Sequence, residues 1–274
     1  MRSDRVTILV IEHETGTGPE RFGQWLEEAG AEVVVVRPYL GDAIPVDVDG
    51  RGGGGGLGGR GGLGEFGALI VLGGASGPLE DADNPWFPQV RSLLRRSADG
   101  EFPSFNICLG GELLAAAADA PITRRARPQI GIYDLHTTSA GEADPVFAAL
   151  SGMTLPSVLF HQEEMALPDG GELLVTGSDA PVQGFRVGEF AWGTQFHPET
   201  DSAQIRRWLR SDAVALPEGK TTDSIVAELD AADAELVRVG RVLAQSFVTY
   251  LRERAEESGK AAGTGSSAVR AAGE

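Results

Sequence analysis

The chain has 274 residues, with 23 Lys and Arg against 40 Asp and Glu, a net charge of −17 and one cysteine. One cysteine excludes an internal disulfide scaffold, no apolar run reaches the roughly 18 residues of a membrane span, and the acidic balance argues against a nucleic-acid surface, which needs clustered cations. The opening residues run into a short apolar stretch closed by Glu12 and His13, without the length or cleavage pattern of a secretion signal, so a cytoplasmic protein is expected.

Near-continuous apolar runs at 6–11, 33–36 and 68–72 predict strands buried on both faces, as in a parallel sheet. Between the first two, Phe22, Trp25, Leu26 and Ala29 recur at helical spacing within Gly18 to Gly30. Residues 50–64 contain 11 glycines, interrupted by Arg51, Leu57, Arg60 and Leu63. Fixing so much glycine costs more entropy than burial returns, so a surface insertion is expected there, with a mobile flap or partner-binding loop as the functional alternative. Asp83 or Asn84 before Pro85 predicts the start of a helix whose apolar face carries Val90, Leu93 and Leu94. A strand over 102–108 and a helix-forming run from Leu113 to Ala118 follow. This alternation predicts a doubly wound α/β domain.

Past residue 130 the pattern changes to short strands at 130–133, 158–165, 172–177, 183–187 and 190–196, with Gly188-Glu189 as a hairpin turn. An antiparallel part of the sheet is expected. After Pro217-Glu218-Gly219, the residues Ile225, Leu229, Ala232, Leu236, Val239, Leu243, Phe247 and Tyr250 step by three or four, one apolar stripe on a long helix over 222–257. Packing onto its own domain is expected rather than a dimer seam. Residues 258–274, rich in Gly, Ser and Ala, read as a disordered tail.

The chemistry concentrates at two places. Cys108 stands in Asn106-Ile107-Cys108-Leu109-Gly110-Gly111, between a strand and a helix. That is the position of a nucleophile elbow, where a sharp turn lifts the side chain clear of the sheet. Gly110 supplies the small residue such a turn needs, and Asn106 is the non-glycine type most tolerant of unusual backbone angles. A thiol at a helix N-terminus also gains from the aligned N–H groups. In Gln195-Phe196-His197-Pro198-Glu199, proline keeps the stretch extended, so His197 and Glu199 project to one side. A Cys nucleophile, a His base and an acidic orienter form a triad for acyl transfer. Gly73-Gly74-Ala75-Ser76-Gly77 follows the third strand, and its N–H groups, with that of Leu109, suit an oxyanion hole. No Gly-Lys-Ser/Thr follows, which argues against a nucleotide phosphate loop. His13 is expected to be structural or at the rim of the site, His136 solvated, and the four tryptophans core or half-buried. No His/Cys/Asp/Glu cluster has metal spacing, so no metal and no cofactor are expected.

From about Thr7 to Leu209 the chain resembles the class I glutamine amidotransferases, in particular stand-alone proteins related to the glutaminase domain of GMP synthase. The family's Gly-Ile-Cys-Leu-Gly-x-Gln appears as residues 106–112, its Gln-Phe-His-Pro-Glu is intact at 195–199, and its Gly-Gly-Pro turn appears as Gly73-Gly74-Ala75. His161-Gln162-Glu163 stands for its His-Gly-Asp, and Gln183-Gly184-Phe185-Arg186 is similar to its Gln-Ala-Phe-Arg strand.

The resemblance implies a three-layer, flavodoxin-like α/β fold with a mostly parallel sheet, an added antiparallel part and a long C-terminal helix. It implies a domain over 1–216 with the insertion at 50–64, a helical extension over 217–257 and a tail over 258–274. It implies that Cys108 attacks the γ-amide of glutamine, His197 protonates the leaving ammonia and Glu199 orients His197. The N–H groups of Gly74 and Leu109 hold the oxyanion, and Gly73, Glu112, His161, Gln162 and Glu163 contact the substrate. Ammonia then passes to a separate synthase or is released; no nucleic acid or membrane takes part. Three positions depart from the pattern: Asn106 and Gln162 replace glycines, and Glu112 replaces a glutamine. They leave open a γ-glutamyl peptidase or other small-amide hydrolase, or a catalytically weak ligand- or partner-binding relative.

Overall fold

The computed structural model of the chain describes residues 5–45, 66–211 and 215–270. The expected glycine-rich insertion at 50–64 lies outside them. Nine strands form one mixed sheet in the order β2-β1-β3-β4-β9-β8-β7-β5-β6. Strands β1 (Thr7–Ile11), β2 (Glu32–Val36), β3 (Ala68–Val71), β4 (Ser104–Ile107) and β9 (Ala191–Thr194) are mutually parallel. Strands β8 (Gly184–Val187), β7 (Glu172–Thr176), β5 (Ile122–Thr137) and β6 (Leu155–Met165) continue the sheet by antiparallel pairing.

The apolar runs have a physical cause. Successive side chains of a strand point to opposite faces, so a strand covered on both faces needs apolar residues at every position. In β1, Ile8 and Val10 enter one core with α1 (Glu20–Glu28) and α6 (Thr222–Arg270). Leu9 and Ile11 enter the other with α2 (Phe87–Ala98) and α3 (Leu109–Ala117). The result is the expected helix–sheet–helix sandwich.

The long helix packs as expected. Ile225, Leu229, Leu236, Val239, Leu243 and Phe247 are buried, and the helix lies against α1, α5 (Ser202–Ser211), β5 and β6. Gly240 makes the closest approach: a Cβ there would lie 2.4 Å from Trp25 and 2.6 Å from the carbonyl oxygen of Pro198. The expected tail over 258–274 falls partly on the last turns of α6 and partly outside the described residues. No helix among the described residues is long and apolar enough to cross a membrane.

Three local expectations change. The α2 helix opens at Phe87 rather than at Asn84, because residues 81–83 form a turn in which the Asn84 side chain donates to the Glu80 carbonyl oxygen at 3.0 Å. The proline near its start is Pro88, placed where its missing N–H costs nothing. Strand β5 begins at Ile122 instead of near Ile130, since Arg124 pairs across the sheet with Glu163. The β8–β9 hairpin has a three-residue loop, 188–190, opened by Gly188 at φ 60°; a Cβ there would meet the Ala98 carbonyl oxygen at 2.1 Å.

Candidate active site

The parallel strands end on one edge, and the candidate residues collect at or just beyond it. Cys108 follows β4 and caps α3 with φ 51° and ψ −109°. A non-glycine residue with positive φ stores strain, which persists only where the surroundings over-determine it. Here they do. The Cys108 N–H donates to the Thr194 carbonyl oxygen at 2.7 Å. Behind the turn, a Cβ at Gly110 would lie 2.1 Å from the Val71 carbonyl oxygen, and one at Gly111 would lie 2.6 Å from that of Thr194. Both glycines therefore let α3 press directly on the ends of β3 and β9. Asn106 does not use its backbone tolerance. It remains in β4, and its buried amide donates to Ser104 Oγ at 2.9 Å and to the Trp192 carbonyl oxygen at 2.8 Å, tying β4 to β9.

His197 leaves the end of β9, and its N–H donates to the Val158 carbonyl oxygen at 2.9 Å. Its Nδ1 lies 2.7 Å from Glu199 Oε1, and both side chains are buried. His197 Nε2 is also buried and has no hydrogen-bond partner among the described residues. The imidazole and the thiol meet over Gly73, where a Cβ would lie 3.0 Å from His197 Cε1 and 3.6 Å from Cys108 Cβ. The same turn packs on Leu109, since a Cβ at Gly74 would come within 2.8 Å of Leu109 Cδ2. Burial by itself lowers the His197 pKa, yet the facing Glu199 and Cys108 raise it well above its ordinary value. Burial pushes the Cys108 thiol up, opposed by His197.

A cavity of about 350 Å³ opens in front of the pair, near the lower end of the roughly 300–1,000 Å³ range of ligand pockets. Gly74, Cys108, Glu112, His161, Gln162, Glu163 and His197 line it, while Gly73, Leu109 and Glu199 stand behind that lining. Sequence reasoning missed Glu14, Arg124, Phe160 and Trp208 on the same wall. None lies in a motif with Cys108 or His197. Trp208 could have been suspected, because α5 begins three residues after Glu199; its indole lies 5.0 Å from the His197 ring. Glu14 Oε1 accepts from the Ala75 N–H at 2.6 Å. His161 has Nδ1 2.6 Å from the Glu163 carbonyl oxygen and Nε2 2.9 Å from Gln129 Oε1, and burial lowers its pKa to about 4.

His13 is buried beneath the turn, not at a rim. Its Nδ1 accepts from Trp86 Nε1 at 3.0 Å, and burial lowers its pKa to about 3 from 6.5. The folded state resists protonation of this ring, so its contribution is complete above pH 6.5 and is lost as pH falls toward 3. Between pH 6 and 4 the unfolding free energy of the native chain should fall more steeply than that of His13→Phe, by about 1.4 kcal/mol per pH unit. Urea titrations at both pH values measure this, and parallel slopes would remove the assignment. His136 is exposed. Among the described residues no three His, Cys, Asp or Glu side chains group as metal ligands.

The chain is similar to several known proteins. The model of the class-I glutamine amidotransferase family matches residues 61–215. The glutamine amidotransferase-like protein YfeJ of Salmonella typhimurium is 25% identical over 229 residues, 82% of this chain and 89% of that protein. One of the subunits of the glutamine-hydrolysing GMP synthase of Thermoplasma acidophilum is 26% identical over 140 residues, 51% of this chain and 66% of its own length. Among solved structures, a glutamine amidotransferase from Thermotoga maritima superposes with a TM-score of 0.73 at 21% identity, over 89% of this chain and 98% of its own, which establishes the shared fold.

Proposed function

Since this chain belongs to the class-I glutamine amidotransferase family, we propose that it hydrolyses the γ-amide of glutamine through a thioester on Cys108. The observation that carries the reading is the buried line from Glu199 through His197 to a thiol held at positive φ on the end of α3.

In this reading the Cys108 thiolate attacks the amide carbon, and the oxyanion is received by the N–H groups of Gly74 and Leu109. His197 donates its proton to the leaving nitrogen, the C–N bond breaks and ammonia departs. Water then gives a proton to His197 and attacks the thioester, the C–S bond breaks, and glutamate and the thiol are released. Glu199 holds the ring so that Nε2 faces the reacting atoms, and its charge stabilises the imidazolium. Gly73 leaves room for that ring. Residues 1–216 carry the chemistry in this reading, and α6 supports it by seating Pro198, between His197 and Glu199, on Gly240. By likeness to a relative that is part of a synthase, the ammonia goes to a separate acceptor protein in the cytoplasm.

Ammonia release from L-glutamine by the purified chain tests the reading. His197→Ala should lower kcat by about 10³-fold or more, because both the general-acid and the general-base step use the ring. Equal release by both proteins, or none by the native chain, would sink it.

A further inference from the structure

The charges lining the cavity favour a substrate cation over a substrate carboxylate. Its lining includes the carboxylates of Glu14, Glu112 and Glu163 against the guanidinium of Arg124 and the imidazole of His197. Arg124 donates to Glu163 Oε1 at 2.6 Å and to Gln162 Oε1 at 2.8 Å, so its charge is already offset by Glu163. Glu14 accepts from the Ala75 N–H at 2.6 Å, and Glu112 accepts from the Gln195 amide at 2.9 Å.

Glu112 is the more consequential. It lies in the first turn of α3, is 3% exposed and lines the cavity. The Gln195 nitrogen that donates to it is also 3.8 Å from Cys108 Sγ, so one amide group separates the carboxylate from the sulfur. A buried carboxylate is costly unless a cation or several donors meet it. Burial holds its pKa up to about 7, with the Gln195 hydrogen bond and the His197 charge opposing the rise and Glu163 adding to it.

We propose that Glu112 makes this cavity favour amide substrates of net positive charge over zwitterionic glutamine, through a substrate ammonium paired to its carboxylate. The inference rests on the amide-hydrolase reading and names the substrate class of that site. A glutamine side chain at position 112, isosteric and neutral, accepts the same Gln195 bond but does not attract a cation. A substrate carboxylate near Glu112 meets like charge in a water-poor site, where repulsion is weakly screened.

The test separates binding from turnover. In a Cys108→Ala background, calorimetry with L-glutamine methyl ester, L-glutamine and N-acetyl-L-glutamine reads the effect of net charge on affinity. The ester, net positive, should bind about tenfold more tightly than glutamine, and the anionic N-acetyl compound most weakly. Adding Glu112→Gln should bring the ester and glutamine to within about twofold of each other, with thermal midpoints checking that each protein is folded. A tighter affinity for glutamine than for the ester, an unchanged ratio in the Glu112→Gln protein, or no binding of the ester overturns the proposal. The same three compounds are then offered to the native enzyme. The affinity order without any hydrolysis removes the hydrolase reading and keeps the charge selection. Hydrolysis with a flat affinity order does the reverse.

Discussion

Cys108→Ala should lower kcat for amide hydrolysis by about 10⁴-fold or more, leaving the fold intact. The magnitude follows from losing the nucleophile of a coupled unit, after which only binding and oxyanion donors contribute to rate. The fold should persist because alanine removes one sulfur from a site whose backbone is held by the Thr194 carbonyl oxygen and by the glycines of α3. Alanine at φ 51° still carries a Cβ, as cysteine does, so the strain of the turn is unchanged. The pH profile of the native enzyme belongs to the same prediction. Burial raises the thiol, so the rising limb, which follows thiolate formation, lies at alkaline pH. Glu199 and Cys108 keep His197 protonated well above its ordinary pKa, so the falling limb, which follows loss of the general acid, is displaced toward alkaline pH as well. The two limbs report the pair and not either residue alone. The optimum should therefore lie above pH 7. An optimum near pH 5 would overturn the upward shift of the thiol, and a Cys108→Ala protein that hydrolyses amides at the native rate would exclude thiolate chemistry.

Gly110→Ala should cost stability on the order of 3 kcal/mol, the upper end of the overpacking range, because the site is rigid. Its Cβ would sit 2.1 Å from the Val71 carbonyl oxygen and 2.8 Å from the Val71 carbonyl carbon. Those atoms belong to backbone in the middle of a parallel sheet, with Ile11 and Asn106 as cross-strand neighbours of Val71, and they do not yield as a side-chain tip does. The helix must back away, and Cys108 and Leu109 move with it. The melting midpoint should fall by roughly 5–15 °C, and activity should fall with it even where the protein is folded. Gly18→Ala is the matched control. Its Cβ would lie 3.6 Å from Glu12 Oε2, an ordinary contact, and the change in midpoint should be small. A Gly110→Ala protein that melts with the native one would show that α3 does not press on β3 as described.

Much of this site was legible from residue order. The strands β1, β3 and β4 stand out because burial on both faces demands unbroken apolar runs. The elbow was legible because a strand, a lone Cys and Gly110 stand in immediate succession. The Glu199–His197 pair was legible because residues two apart in an extended segment share a side, and it is closed at 2.7 Å. The apolar stripe of α6 was legible because helical packing repeats every three to four residues.

Long-range placement accounts for the rest. The first half of β5, Thr123-Arg124-Arg125-Ala126-Arg127, has no strand pattern of its own; its strand state comes from β6, where Glu163 faces Arg124 from 39 residues away. Glu14, Arg124 and Trp208 reach the cavity from three elements far apart in the chain, and no local period connects them. Asn106 looked like a residue chosen for its backbone and proved to be a side-chain bridge, because β9 brings the Trp192 carbonyl oxygen beside it. Gly240 lies inside the long helix α6, where glycine costs about 1 kcal/mol against alanine. The fold makes it the place where α6 touches the loop that carries His197 and Glu199. Residue order alone set most of the elements, the elbow and the His-Glu pair, since each follows from steric and hydrophobic rules acting within a few residues. The walls and charge of the cavity come from three-dimensional packing, because they arise where distant segments converge on the ends of the parallel strands and exclude water from the groups between them.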